Sequence, residues 1–384
     1  MTAGTPLAGL RVLELARVLA GPWIGQTLAD LGADVVKVEA PEGDETRGWG
    51  PPFADDGAAA YFHACNRGKR GVSLDLRDPA DRARAQRLAA GAAVVIENFK
   101  VGGLARYGLD YASVAAANPG VVYVSITGFG QDGPLAGRPG YDFVIQAMGG
   151  IMDLTGEPDG PPEKPGVAYA DLFTGLYGTV AVLAALAAKT RSGRGQRIDL
   201  GLFDVQLAVL ANQAANYLVG GEVPRRMGNA HPNIVPYGVF AAADGPLVIA
   251  CGNDGQFARL SEGLGMALHR DPRFLTNRDR LAHREVLIAA LSARVAALPR
   301  ADVLAAMAAG GIPAGPINSV AEAFAEPQAV ARGAVQEIGG SRAPRSPMRF
   351  SDAAIAAELP PPRLDEHGEA IRAALDAGAD WPVR

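Results

Sequence analysis

The sequence predicts an α/β protein built around a mostly parallel sheet. Two observations carry that expectation. The first ~200 residues alternate short apolar, β-rich runs with helical stretches, the pattern of parallel strands joined by helical crossovers. The chain is also long and ordinary in composition, with 384 residues, 48% hydrophobic, 20% charged and a net charge of −5. That length corresponds to two or three domains and buries a sizeable core, and the charge balance excludes disorder.

The elements follow in order. Gly9–Ala16 reads as a buried strand, and Pro22–Leu31 as a helix with proline near its start and Gly32 at its end. Ala33–Glu39 and Gly71–Leu76 are further strands. Asp78 followed by Pro79 caps a helix through Ala90. Ala92–Glu97 and Val121–Thr127 are strands, Asp171–Lys189 is a helix apolar on nearly every face and therefore buried, Gln196–Phe203 is a strand and Asp204–Val219 a second apolar helix. A strand pair, Gly238–Ala241 and Leu247–Ala250, precedes helical patterns to Ala309, and Gly310–Pro316 breaks them. The expected organisation is a large domain over 1–220, a small one over 225–315, and a segment over 316–384 that returns to the first, Pro-rich from Pro344 and wrapped over its surface. Ligands of parallel sheets sit beyond the carboxyl ends of the strands, which directs attention to loops 16–22, 40–52, 97–106 and 128–142.

Composition narrows the function. A pI near 5.6 argues against nucleic acid as a partner. The apolar run between Asp171 and Lys189 falls short of the ~20 residues of a membrane span, and Arg11, Glu14 and Arg17 interrupt the first apolar run as no secretory leader would. Cys65 and Cys251 are the chain's two cysteines, so a disulfide framework is not expected and a reducing cytoplasm fits. The five histidines have no zinc-ligand spacing, and neither a GxSxG elbow nor a Walker A sequence occurs. Gly128–Gly133 fits GxGxxG after a strand, but Pro134, Gly137, Pro139 and Gly140 prevent the helix a dinucleotide site requires. An irregular loop that approaches a ligand closely is expected instead.

Asp171, at the head of the apolar helix, has two readings. It is an N-cap for the first-turn N–H groups, or it is a carboxylate nucleophile that those groups and the helix dipole keep ionised. Gly175 and Gly178 allow close approach of a ligand or of another helix. Arg17, Arg47, Arg67, Lys69, Arg70, Arg77, Lys100, Arg106 and Arg138 gather in loops at strand ends, as single surface charges or as a seat for a polyanion such as coenzyme A. His231, between Ala230 and Pro232, is a site residue or a loop residue.

Together the segments resemble the family III CoA-transferases. The residues that carry the resemblance include Pro6–Glu14, Val18–Pro22, Leu31–Glu39, Gly43–Arg47, Glu97–Phe99, Ser125–Gln131 and Gly193–Gln196. Within the family the chain is most similar to succinyl-CoA:glutarate-type transferases, through Arg17–Pro22, Arg138–Asp142, Asp171–Tyr177, Ala215–Leu218, Ile234–Tyr237, Gly315–Asn318 and Phe324–Gln328. The resemblance implies CoA transfer from an acyl-CoA donor such as succinyl-CoA to a carboxylic acid such as glutarate, with Asp171 as the nucleophile. It implies CoA contacts at Leu19, Ala20, Leu74, Arg77 and Asn98, and at Phe99, Lys100, Arg106, Arg138 and Tyr141. Substrate contacts are assigned to Arg17, His231, Gly252 and Gly255, the glycines supplying backbone donors to the oxyanion. Coenzyme A enters as substrate, with no permanently bound cofactor and no metal. The implied fold is a Rossmann-like large domain with a smaller α+β domain, in a ring-like subunit that interlocks as a homodimer. One departure stands out: Ala40-Pro41 replaces an arginine that relatives use on CoA, a contact then lost or made by Arg47. An α-methylacyl-CoA racemase is the alternative, disfavoured because Tyr141 stands where that enzyme has a histidine base. A non-catalytic acyl-CoA-binding protein is the other.

Overall fold

The structure is a computed structural model that describes residues 4–356 and 359–383. The chain divides into two compact units. The first comprises Met1–Met152, Lys164–Val223 and Val330–Arg384, and the second Asp153–Glu163 and Pro224–Ala329.

The first unit is built on six parallel strands: β1 (Arg11–Glu14), β2 (Asp34–Glu39), β3 (Lys69–Ser73), β4 (Val94–Glu97), β5 (Val122–Thr127) and β6 (Gln196–Gly201). Their order is β3-β2-β1-β4-β5-β6, that of doubly wound dinucleotide-binding sheets. Alternate residues serve opposite faces. Leu13, Val36, Val95 and Tyr123 pack into one core, while Val12, Val35, Val94 and Val122 pack into another. Both cores cover the inner strands, so β4 reads in sequence as the apolar run Val94–Ile96 rather than as an alternating one. The helix Pro79–Gly91 starts as expected, Asp78 accepting from the N–H groups of Ala80 and Asp81.

Several expectations need correction. The long helix runs over Tyr169–Ser192, so its apolar window is long enough to cross a bilayer by length and composition. It instead lays Asp171, Thr174, Gly175, Gly178 and Val182 against the protein, and leaves Leu176, Tyr177 and Val180 about half exposed or more. It is therefore not buried on every face. Gly175 and Gly178 serve helix contact, since a Cβ at either would press on Trp23 or Ile24 of the helix Ala20–Asp30. The second apolar helix is two, Leu202–Ala208 and Ala211–Gly220, separated where Ala211 takes φ +49°. The C-terminal segment does more than wrap a surface. Ile371, Leu375 and Trp381 enter the core beside Leu13 and Val36, and Trp381 Nε1 donates to Asp34.

In the second unit, β7 (Tyr237–Ala242) and β8 (Gly245–Ala250) form the expected antiparallel pair. A further strand, β9 (Ala314–Pro316), adds to β8 within the stretch read as a break. Phe257, Leu287, Leu291, Val303 and Met307 bring the helices onto this small sheet.

Beneath the first unit's loops lies a dry ionic cluster. Glu14, Lys37 and Lys69 have side chains with no exposure. Lys37 Nζ lies 3.2 Å from Glu14 and 3.0 Å from Asp44, and donates to the Ala16 carbonyl. Lys69 Nζ is 2.8 Å from Glu14 and donates to Asn66 and to the Pro22 carbonyl. Burial opposes the Lys37 charge, and Glu14, Asp44 and Glu39 outweigh it, raising its pKa. Removing the shared carboxylate leaves the buried Lys69 ammonium with no acid partner among the described residues and Lys37 with Asp44 alone. We expect Glu14→Ala to destabilise the protein by ~3–5 kcal/mol, read as a lowered urea midpoint in circular dichroism. A loss under ~1 kcal/mol, the scale of an exposed pair, would show that the cluster is solvated.

Candidate active site

Strand order reverses between β1 and β4, so the loops leaving these strands part and open a crevice at the sheet's carboxyl edge. The loop after β1 carries Arg17 and the loop after β4 carries Asn98. The Asn98 amide clamps the Arg17 backbone from both sides, accepting from its N–H at 3.1 Å and donating to its carbonyl at 2.7 Å. Val18 then takes φ +71°, an uncommon conformation for a β-branched residue. It is held there by its N–H, 3.2 Å from Asp44 Oδ2, and Asp44 is fixed in turn by Lys37. The ionic cluster thus shapes the entry to the helix Ala20–Asp30.

Two clefts flank this bridge and share Arg17 and Phe99. One, of about 370 Å³, includes Leu74, Arg77, Tyr107 and the 37–44 segment. The other, of about 380 Å³, includes Leu19, Ala20, Asn98, Lys100, Arg106, Arg138, Tyr141 and Asp171. All ten residues expected to contact CoA therefore line one cleft or the other. The backbones of Gly128 and Gly140 nearly touch behind the second cleft, leaving no room for a Cβ at either. No helix begins until Asp142, so the loop is irregular as expected.

The nine clustered cations separate into two groups. Arg47, Arg67, Lys69 and Arg70 have partners inside the protein: Glu39, Asp30, Glu14 and Asp34. Arg47 also donates to the Pro362 carbonyl and lies 3.7 Å over the Phe62 ring. It is thus not free to replace the missing CoA arginine. Arg17, Arg77, Lys100, Arg106 and Arg138 are exposed. Arg77 pairs locally with Asp75, and Arg17 with Glu45 at 2.5 Å, a cleft-lining carboxylate within Gly43–Arg47 to which the sequence reading gave no role.

Asp171 departs from the N-cap reading. It is not the N-cap. It occupies the third position of its helix, and the cap comes from Asp142, which opens the helix Asp142–Met148. Asp142 Oδ1 accepts from the N–H groups of Ala170 at 2.9 Å and Asp171 at 3.3 Å. The donors expected to keep Asp171 ionised are thereby already engaged by another carboxylate. The Asp171 side chain is 9% exposed. Burial, with the Asp142 charge second, pushes its pKa up to about 7. Tyr61 stands in the same field, its phenol pushed up to about 12 by burial first and by Asp171 next. Neither Asp142 nor Tyr61 is recognisable as a neighbour of Asp171 in the sequence.

His231, Gly252 and Gly255 lie in the second unit. The His231 ring sits 5.1 Å from the Tyr237 ring, and its Nδ1 accepts from the Asn233 N–H. The Gly252 N–H already donates to Gln256 Oε1 at 2.7 Å. Gly255 lies in the first turn of the helix Asp254–Gly263, which Asn253 caps. Among the described residues no group of three or more His, Cys, Asp or Glu is arranged to hold a metal.

A buried carboxylate in the wall of a cation-rimmed cleft, at the switch point of a doubly wound sheet, suits acyl transfer from an anionic carrier. The model of CoA-transferase family III matches residues 7–368, and the chain belongs to that family. It is an enzyme, a CoA-transferase. A succinate–glutarate CoA-transferase of Agrobacterium fabrum is 53% identical to it over 97% of this chain and 96% of its own length. The mouse succinyl-CoA:glutarate CoA-transferase is 42% identical over 94% of this chain and 84% of its own. The crystal structure of a CAIB/BAIF family protein from Brucella suis superposes with a TM-score of 0.88 at 59% identity, covering 97% of this chain and 100% of that one.

The raised Asp171 pKa links to stability. Between the ordinary value of 3.8 and about 7, the folded protein holds a proton that the unfolded chain has released. Stability from this group is therefore lost as pH rises through that window. We expect Asp171→Asn to be more stable than the wild type at pH 8, by ~2–4 kcal/mol, with the difference vanishing near pH 4. Denaturant titrations at both pH values check this. Equal stability at pH 8 would mean that the carboxylate is not strained.

Proposed function

We propose that the enzyme moves coenzyme A from succinyl-CoA to glutarate and that Asp171 carries the acyl group and then the coenzyme. The observation that carries this reading is the Asp171 carboxylate itself: buried, raised in pKa, and in the wall of the cleft that holds the exposed cations. The activities named for the Agrobacterium and mouse relatives support the substrate pair.

The steps balance without ATP. The Asp171 carboxylate attacks the succinyl thioester carbonyl and expels CoA thiolate, forming a mixed anhydride. The retained thiolate attacks the aspartyl carbonyl, releasing succinate and leaving an aspartyl-CoA thioester. A glutarate carboxylate attacks that thioester, expelling the thiolate and forming a second anhydride. The thiolate then takes the glutaryl group as glutaryl-CoA and restores Asp171. A carboxylate of pKa about 7 is more basic, hence more nucleophilic, than one at the ordinary value. Arg77, Lys100 and Arg106 are assigned to the CoA phosphates. Leu74, Phe99, Leu19 and Ala20 make apolar walls, and Asn98 and Tyr141 flank the thioester. Arg138, for which the resemblance implies a coenzyme contact, is assigned together with Arg17 to the distal carboxylate of the acceptor.

The same reading includes a cytoplasmic homodimer with coenzyme A as substrate, no permanently bound cofactor, and neither nucleic acid nor membrane as partner. Two free buried cysteines fit a reducing compartment. The exposed Leu176, Tyr177, Val180, Tyr217, Leu218 and Val219 form apolar helix faces that a second subunit would cover.

Asp171→Ala and Asp171→Asn should each lose at least ~10³-fold in exchange of labelled succinate into succinyl-CoA. Hydroxylamine added during turnover should modify the peptide bearing Asp171, and near-full exchange in either variant would end the assignment. Arg138→Ala should raise the KM for glutarate ~10-fold while changing that for succinyl-CoA by less than about twofold. Equal effects on both would move Arg138 to the coenzyme.

A further inference from the structure

The charge at Asp142 has no part in the steps above, and it faces the reacting carboxylate. We propose that Asp142 is a positioning residue for the transfer reaction: it holds the head of the Asp171 helix in place of a local cap and, as a fixed negative charge, keeps Asp171 reactive. The proposal rests on the reading of Asp171 as the acyl carrier.

The geometry is specific. Asp142 Oδ1 takes the N–H groups of Ala170 and Asp171, while Oδ2 accepts from Gln146 Nε2 at 2.6 Å. Gln146 is fully buried, and its Oε1 has no partner among the described residues. Its amide, one turn further along the same helix, is oriented by Asp142 first and by a longer bond of 3.5 Å to the Val167 carbonyl. Ala168, at the cap position, provides no side-chain acceptor. The first turn thus depends on a carboxylate from 28 residues away for its free donors.

The other charged or titratable groups around Asp171 do not perform this role. Tyr61 faces it from the 60–63 turn and is neutral at working pH, its phenol raised to about 12. The helix Ala20–Asp30 ends in Asp30, which Arg67 holds. From the 202–208 helix Asp204 faces the 130 loop, as does Asp199 from β6. Arg17 and Arg138 line the same cleft, yet burial and Asp142 remain the causes that raise the Asp171 pKa. Acylation abolishes the Asp171 charge and with it the repulsion. Each return to free carboxylate restores it. Asp142 thereby disfavours the resting carboxylate relative to the anhydride and thioester states, and nucleophilic attack becomes easier.

Asp142→Asn tests this, because its amide oxygen still accepts from both N–H groups and Gln146 can turn its unpartnered oxygen toward the new amide. Two readouts are used: carboxyl carbon-13 NMR titration, with the Asp171 signal assigned by its loss in Asp171→Asn, and the pH profile of kcat/KM from pH 5 to 9. The wild-type midpoint is expected at about 7. In Asp142→Asn it should fall by about one unit, with a plateau rate lowered roughly 3- to 10-fold by the weaker nucleophile. Asp142→Glu, which keeps the charge, should keep the wild-type midpoint. An unchanged midpoint in Asp142→Asn, or one in Asp142→Glu lowered by about a unit, overturns the proposal. The NMR readout does not depend on turnover. Were Asp171→Asn fully active, the proposed function would fail while the midpoint shift could still be read. An inactive Asp171→Asn with an unmoved midpoint in Asp142→Asn removes this inference alone.

Discussion

One carboxylate between two ammonium groups organises the first unit. Glu14 ends the central strand and meets Lys37 from β2 and Lys69 from β3 where there is no water. Ions in that position cannot tolerate a missing partner, so strands β1, β2 and β3 are tied together through one carboxylate. The consequences run outward. Lys37 holds Asp44 and the Ala16 carbonyl, Asp44 holds the Val18 N–H, and the Val18 turn sets where the helix Ala20–Asp30 begins. Trp23 and Ile24 of that helix receive Gly175 and Gly178 of the helix that carries Asp171. The position of Asp171 is therefore traceable to an ion pair with no exposure to solvent.

Electrostatics in this protein work in two separate layers. Below the loops, every basic side chain of the inner group is matched by an acid from a neighbouring strand or helix. At the crevice, the cations are exposed and available to an anionic carrier. Asp171 lies between the layers with neither a partner cation nor its own helix's donors. A carboxylate so placed is costly to keep ionised, and its raised pKa reflects that cost.

The sheet and the place of Asp171 were legible in the sequence because both depend on local pattern. Buried parallel strands produce apolar runs such as Val94–Ile96 and Val121–Val124, and the Pro79 start and Gly193 end of helices are local signals. What escaped depends on distance along the chain. Nothing near Asp171 shows that Asp142 caps its helix, so the local rule for aspartate at a helix start pointed to the wrong residue. The cations looked alike because the acids that engage Arg67, Arg70 and Arg47 are Asp30, Asp34 and Glu39, contributed by other elements. Strand β9 was missed because three residues containing glycine and proline have no strand periodicity.

The last residues of the chain also matter to how the protein comes into being. Ile371, Leu375 and Trp381 belong to the same core as the first strand, and Arg70 of β3 donates to the Pro382 carbonyl. A ribosome makes those residues long after the first strand. The smaller unit, encoded between them, has all its parts earlier. Vectorial synthesis thus leaves the nascent sheet waiting, one side of its core uncovered, until those residues emerge.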